Sequence, residues 1–180
     1  MEAVKLELGS GYHPTPGFTH LDLNPNAPGV DIVGPAFPLG LPDATVEEIR
    51  AVDVLEHLPY RQTVPALAEW ARVLQPGGRL YVQVPDAALI MEWFVLSPER
   101  LLCRLPGDVP QTPESGAAWR LLGGQEDGVQ AKAGDDWRLN AHYSLFSRDS
   151  LTDALNEAGF DVESCETNVH PNLCLWARRR

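Results

Sequence analysis

Val4-Lys5-Leu6-Glu7-Leu8-Gly9-Ser10-Gly11 (VKLELGSG) is the stretch that decides the fold. Apolar and charged side chains alternate along it and then run straight into glycine, the pattern of a strand ending in a tight turn. Working outward, Phe18 to Leu23 (FTHLDL) is a second short strand before the turn-rich Asn24-Pro25-Asn26. Val30 to Val33 is a third, closed by Gly34-Pro35, and Ile49 to Val54 (IRAVDV) a fourth. Thr63 reads as a helix N-cap with Pro65 in the first turn, where a missing N–H costs little. Val64, Leu67, Ala68, Ala71 and Leu74 recur at helical spacing until Pro76-Gly77-Gly78 stops them. Arg79 to Val84 (RLYVQV), ended by Pro85-Asp86, is a fifth strand. Strands alternating with crossovers predict a parallel α/β sheet.

Further along, Ala87 to Leu105 is expected to be helical, with Trp93 and Phe94 in a largely apolar stretch. Pro106 to Gly134 is rich in proline and glycine without periodicity, and is expected to be an irregular insertion with one short helix near Trp119 to Leu122. Ser147 or Asp149 can cap a helix through Ala158, with Gly159 as its stop. Phe160 to Glu166 and Leu173 to Ala177 supply the last two strands. With no internal repeat and no linker, residues 1–180 are expected to form one domain with an insertion or lid at about 87–141.

Of 180 residues, 25 are acidic and 14 basic, a formal net charge of −11. A field of that sign repels phosphate backbones and disfavours a nucleic-acid partner. The basic cluster Arg178-Arg179-Arg180 is expected to be a solvated tail. Cys103, Cys165 and Cys174 are odd in number and lack C-x-x-C spacing, which fits a reducing compartment better than a disulfide framework or a zinc site. The sequence shows no signal-peptide pattern and no apolar run of the ~20 residues a membrane span needs. A cytoplasmic location, with no membrane contact, is the expectation.

Ligands of open α/β sheets bind beyond the carboxyl ends of the strands, where strand order reverses. Three such ends carry what an adenosine cofactor needs. Gly9-Ser10-Gly11 lets the backbone approach closely, because no Cβ intervenes. Asp22 can accept from both ribose hydroxyls. Asp53-Val54-Leu55-Glu56-His57-Leu58-Pro59 is a polar cluster where a second substrate would sit.

LELGSG (6–11), LDLNP (21–25), VDVLEHLP (52–59) and ARVLQPGGRLYVQVPD (71–86) together resemble the successive motifs of class I S-adenosylmethionine-dependent methyltransferases. HYSLFSRDSLTDALNEAGF (142–160) is similar to that family's closing helix before the last hairpin. The resemblance spans the chain except 87–141. It implies a Rossmann-like sheet, mostly parallel with a C-terminal antiparallel hairpin, and S-adenosylmethionine as cofactor. It also implies that Glu7, Gly9, Ser10 and Gly11 lie along the methionine and ribose. Asp22 would hold the ribose hydroxyls, Leu23 border the adenine, and Gly34 and Pro35 lie near its edge. Asp53 and Val54 would face the methionyl group, with Leu55 and His57 lining the approach to the sulfonium.

The chain departs from the family pattern between its first two strands. His13 stands where a third glycine usually opens a helix, and Pro14 and Pro16 forbid a regular helix before Phe18. The first crossover helix is therefore expected to be shortened or absent, with the cofactor carboxylate losing its helix N-terminus. Since the chain starts on the first strand, the cover over the site must come from 87–141, from a second copy in a homodimer, or from the acceptor. A small-molecule acceptor is expected, and if it presents a hydroxyl, His57 is the first candidate base, with His142 and Asp86 next. No metal is expected: a trio of His20, Asp22 and His57 has no recognisable ligand spacing. A nicotinamide dehydrogenase would need G-x-G-x-x-G opening a helix, whereas Gly11 is followed by Tyr12-His13-Pro14. The short first crossover also fits a second reading, a non-catalytic or regulatory protein on a methyltransferase scaffold.

Overall fold

The structure is a computed structural model that describes residues 4–102, 111–123 and 140–180. Seven strands form one sheet in the order β3-β2-β1-β4-β5-β7-β6. They are β1 (Val4–Leu8), β2 (Thr19–Asp22), β3 (Ile32–Val33), β4 (Val46–Val52), β5 (Leu74–Pro85), β6 (Phe160–Thr167) and β7 (Asn172–Arg179). β1 to β5 run parallel, and β7 enters antiparallel between β5 and β6. Strand order reverses between β1 and β4, which puts the ends of β2, β1 and β4 side by side. The expected α/β sheet with an antiparallel C-terminal hairpin is the one observed.

Several boundaries moved. β4 begins at Val46 and stops before Asp53, because Asp53 has a positive φ of 53° and turns the chain out of the sheet. β5 begins at Leu74, and Pro76-Gly77-Gly78 forms a bulge inside it: Val46 pairs with Leu74, but Glu48 already pairs with Arg79. Helix α1 (Thr63–Val73) is preceded by a 3-10 turn over Tyr60–Gln62. Thr63 is therefore already helical and Gln62 takes the cap position without a side-chain bond, so Thr63 is not the N-cap. Helix α2 (Ala87–Leu96) gives way at Pro98 to a 3-10 turn over Pro98–Leu101, so the helix expected through Leu105 ends early. Helix α3 (Pro113–Leu122) is longer than the one turn expected there. Ile90, Leu101 and Ala117 give α2, the 3-10 turn and α3 a small core of their own. The remainder of the expected insertion, including Trp137, lies outside the described residues. Helix α4 (Arg148–Glu157) opens on a reciprocal capping box between Ser147 and Ser150. Gly159, at φ +95°, ends it as expected.

The two faces of the sheet differ. Leu6, Ile49, Leu80 and Ala177 stand in one row across β1, β4, β5 and β7, all fully buried. On this face Trp70 and Leu67 of α1 and Leu151 and Leu155 of α4 complete the main core. The opposite face carries a polar row instead. His20 Nδ1 lies 3.1 Å from Glu7, Arg50 Nε 3.5 Å from Glu7, and the Arg50 guanidinium 4.6 Å from the centre of the Tyr81 ring. Tyr81 meets Trp176 at 4.9 Å, and Arg79 lies 4.2 Å over Trp176. Among the described residues no apolar cluster packs on this face. The C-terminal arginines are not a solvated tail: Arg178 pairs with Glu163, Arg179 donates to the Leu74 carbonyl, and Arg180 donates to Asn156 and Phe160 carbonyls.

Candidate active site

The glycine turn after β1 is built around two left-handed glycines, Gly9 at φ +61° and Gly11 at φ +53°. A Cβ on Gly9 would come 2.6 Å from Val54 Cγ2, so the β1 and β4 turns touch there and only glycine fits. Gly9 N–H donates to the Leu21 carbonyl at 2.8 Å, and Gly11 N–H to Asp22 Oδ2 at 2.7 Å. Asp22 Oδ1 accepts from Asn24 N–H at 2.8 Å. Each Asp22 oxygen keeps a lone pair for a further donor. Ser10 is buried and its Oγ has no hydrogen-bond partner. Leu23 beside Asp22 is half exposed, and a Cβ on Gly34 would meet nothing within 4 Å. An orphaned buried hydroxyl, a carboxylate with spare lone pairs and an accessible apolar flank match a nucleoside bearing a charged tail, so these residues fit the cofactor that the resemblance implies.

Glu7 serves the loop behind that turn. Its oxygens accept from Thr15 N–H at 2.7 Å and Thr15 Oγ1 at 2.5 Å, besides the contacts with His20 and Arg50. The segment from Tyr12 to Gly17 contains no helix, as its prolines require. The carboxylate ties down the loop that replaces it.

Beyond β4 the chain makes a 3-10 turn over Leu55–His57. Leu55 is fully buried in the main core. Asp53 accepts from Gln83 Nε2 at 3.2 Å, and burial raises its carboxyl above the ordinary range, against the pull of Gln83 and His57. His57 and His142 meet edge to face with ring centres 4.8 Å apart. His57 Nδ1 lies 3.1 Å from the Ala141 carbonyl. A carbonyl only accepts, so on this contact Nδ1 carries the proton and Nε2 is the accepting nitrogen, while the Asp53 backbone also acts on the ring. Burial lowers the His57 pKa and pushes His142 down to about 4, the latter helped by His57 itself. Both rings are neutral at pH 7.

His142 reaches this place through α3. Its N–H donates to the Leu122 carbonyl at 3.0 Å, and a Cβ on Gly123 would lie 2.1 Å from the Asn140 carbonyl and 2.8 Å from the His142 ring. Tyr143 and Ser144 N–H groups then donate to the Glu56 carbonyl, and Ser144 Oγ to that of Leu58 at 2.7 Å. Glu56 is almost wholly buried, and neither carboxylate oxygen has a partner. Burial, then the Asp53 charge, raise its pKa well above the ordinary value. The sequence places Glu56 in the polar cluster after β4 but gives it no role, because the His142 that comes near it stands far along the chain.

Asp86 is employed elsewhere. It caps α2 through Leu89 N–H at 3.1 Å and accepts from Thr167 Oγ1 at 3.2 Å. His20 belongs to the Glu7 row on the sheet face, so the trio of His20, Asp22 and His57 is not the group of possible ligands that comes together among the described residues.

A family model for a methyltransferase domain matches residues 9–165. The chain belongs to the methyltransferase domain family. Solved S-adenosylmethionine-dependent methyltransferases share its sheet. No curated protein sequence matches the chain. Among solved structures it is similar to the Burkholderia thailandensis 1,6-didemethyltoxoflavin-N1-methyltransferase, solved with 1,6-didemethyltoxoflavin and S-adenosylhomocysteine bound. The two are 18% identical with a TM-score of 0.60, over 98% of this chain and 71% of that one. A possible histamine N-methyltransferase of Thermotoga maritima is 17% identical, TM-score 0.61, over 100% and 83% of the two chains. An S-adenosylmethionine-dependent methyltransferase of Aquifex aeolicus is 13% identical, TM-score 0.56, over 99% and 82%. At these identities the likeness is one of fold. No helix of the described residues is long and apolar enough to cross a membrane.

Proposed function

We propose that this methyltransferase alkylates a small-molecule acceptor held beside His57, at the junction of the β1 and β4 turns. The observation that carries the reading is the His57 Nδ1–H held on the Ala141 carbonyl, which leaves Nε2 as the accepting nitrogen, one turn beyond the strand end where Asp53 holds a strained φ. Bound S-adenosylmethionine supplies an electrophilic methyl group, whose C–S bond electrons return to sulfur as the acceptor's lone pair bonds to carbon. This chain's residues do the positioning. Ser10, Gly11, Asp22 and the backbone at Asp53 and Val54 hold the donor, with Leu23, Gly34 and Pro35 flanking its base. His57 takes the acceptor's proton on Nε2 while Nδ1–H stays on the Ala141 carbonyl, and His142 packs the ring in that orientation. Asp86 anchors α2 behind the pair. The acidic charge and the small ligand of the Burkholderia neighbour favour a metabolite over a nucleic acid.

Calorimetric titration with S-adenosylmethionine, followed by turnover assays on candidate metabolites, tests the reading. His57→Ala is expected to abolish turnover while cofactor affinity is kept. Turnover unchanged in that variant removes His57 from the mechanism, and no saturable binding of S-adenosylmethionine by the parent chain removes the reading itself.

A further inference from the structure

Glu56, His57 and His142 each offer a ligand atom, and these atoms lie within 4.8 Å of one another. We propose that the three side chains bind a divalent first-row transition cation of the Zn2+ or Mn2+ class, a site that goes beyond methyl transfer and holds for any acceptor.

Three observations made independently of one another converge on it. Glu56 is 1% exposed, and neither of its carboxylate oxygens has a hydrogen-bond partner. A carboxyl so buried with nothing to accept from is costly, and a cation at its mouth removes the deficit. His142 Nδ1 is likewise buried without a partner. His57 has the outer contact typical of metal-bound histidines: Nδ1–H is held by a backbone carbonyl, which fixes the ring and directs Nε2 to the ion. One ligand atom of each of the three side chains lies within 4.8 Å of the others.

The donor set selects the ion. Two imidazoles and one carboxylate suit zinc and its first-row neighbours, whereas magnesium and calcium take oxygen ligands. Two ligands each about 2.1 Å from a tetrahedral ion stand about 3.4 Å apart, so the cluster contracts by roughly an ångström around it. Both histidines are half buried while Glu56 forms the floor, which leaves the ion an entry on the histidine side. Asp53 lies close enough to Glu56 to act on its charge, and it adds negative potential beneath the ion. Gly123 fixes the geometry, since any side chain there would strike the Asn140 carbonyl and the His142 ring. Three protein ligands leave a coordination position for water or for an acceptor heteroatom, whose proton the ion would acidify. In the cation-loaded form that acidity replaces His57 as the means of deprotonation, because ion and proton compete for the same lone pair.

The full chain, stripped with chelator, is titrated with Co2+ as a visible-absorption probe and with Zn2+ by calorimetry. One saturable site per chain is expected. Glu56→Gln and His142→Gln should each weaken it by at least about tenfold, while His170→Gln, at an exposed position, leaves it unchanged. Ring-nitrogen NMR shifts of His57 and His142 on adding Zn2+ to the parent chain report the same site without relying on a variant that folds. No saturable uptake, or uptake that leaves both rings unshifted, overturns the site. S-adenosylmethionine is titrated into the same preparation. Cofactor binding without metal uptake sinks the cation site and leaves the methyl-transfer reading standing. Metal uptake without cofactor binding does the reverse.

Discussion

Glu7 shares its carboxylate among Thr15, His20 and Arg50, so a residue that the family motif assigns to the cofactor side also anchors the loop behind the glycine turn. Glu7→Gln should lower stability by about 1–3 kcal/mol, as the loss of charged hydrogen bonds at a buried site predicts. An unshifted urea midpoint would show that the loop is held some other way. Asp22→Asn keeps the size of the side chain but turns one acceptor into a donor facing a backbone N–H. It is expected to weaken S-adenosylmethionine binding by at least about tenfold, of the order of one to two charged hydrogen bonds, as read by calorimetry. Gly123→Ala forces the Asn140 carbonyl and the His142 ring apart. Turnover should then fall by on the order of a hundredfold, because an ångström of misplacement at the reacting centre costs about that much, while cofactor affinity is preserved. Equal loss of both would place Gly123 in the general packing instead.

At the level of elements, the glycine turn, the later part of the fifth strand and the last helix were legible because each carries a local signal: alternation running into glycine, alternation over Arg79 to Val84, a capping serine. Ser147→Ala breaks the reciprocal bonds with Ser150 at the head of α4 and should cost about 1 kcal/mol in a denaturant titration. The start of β4 was not legible. Glu47 and Glu48 interrupt the alternation, and only the register against β1 and β5 shows that Val46 already belongs to the strand. Thr63 failed as a cap for a related reason. The 3-10 turn over Tyr60–Gln62, with Gln62 N–H on the Pro59 carbonyl at 2.7 Å, runs straight into the helix, so Thr63 is already helical.

For the molecule as a whole, the asymmetry of the sheet is the main structural fact. Parallel sheets ordinarily bury both faces under helices, yet here Glu7, Arg50, Tyr81 and Trp176 form a row of ion-pair, cation–π and aromatic contacts along the other face. Trp70 and Trp176 test this difference directly. Trp70 is fully buried against the core, with Nε1–H on the Ala36 carbonyl, and Trp70→Ala should cost about 3–5 kcal/mol. Trp176 rests on Arg79 and Tyr81 at the partly open face, so Trp176→Ala should cost only about 1–2 kcal/mol. Equal losses by thermal or chemical unfolding would mean that both faces are buried alike.

By itself the sequence determined the α/β class, the glycine turn, the missing first crossover helix and the family. Those follow from periodicity, from the φ demands of glycine and proline, and from motifs whose residues lie close together in the chain. Tertiary structure alone decided that Glu7 anchors a loop, that Asp86 caps a helix, that the terminal arginines are stitched to the sheet, and that His142 meets Glu56 and His57. These are contacts between segments distant in sequence, brought together by a sheet register and a helix end that local pattern does not encode.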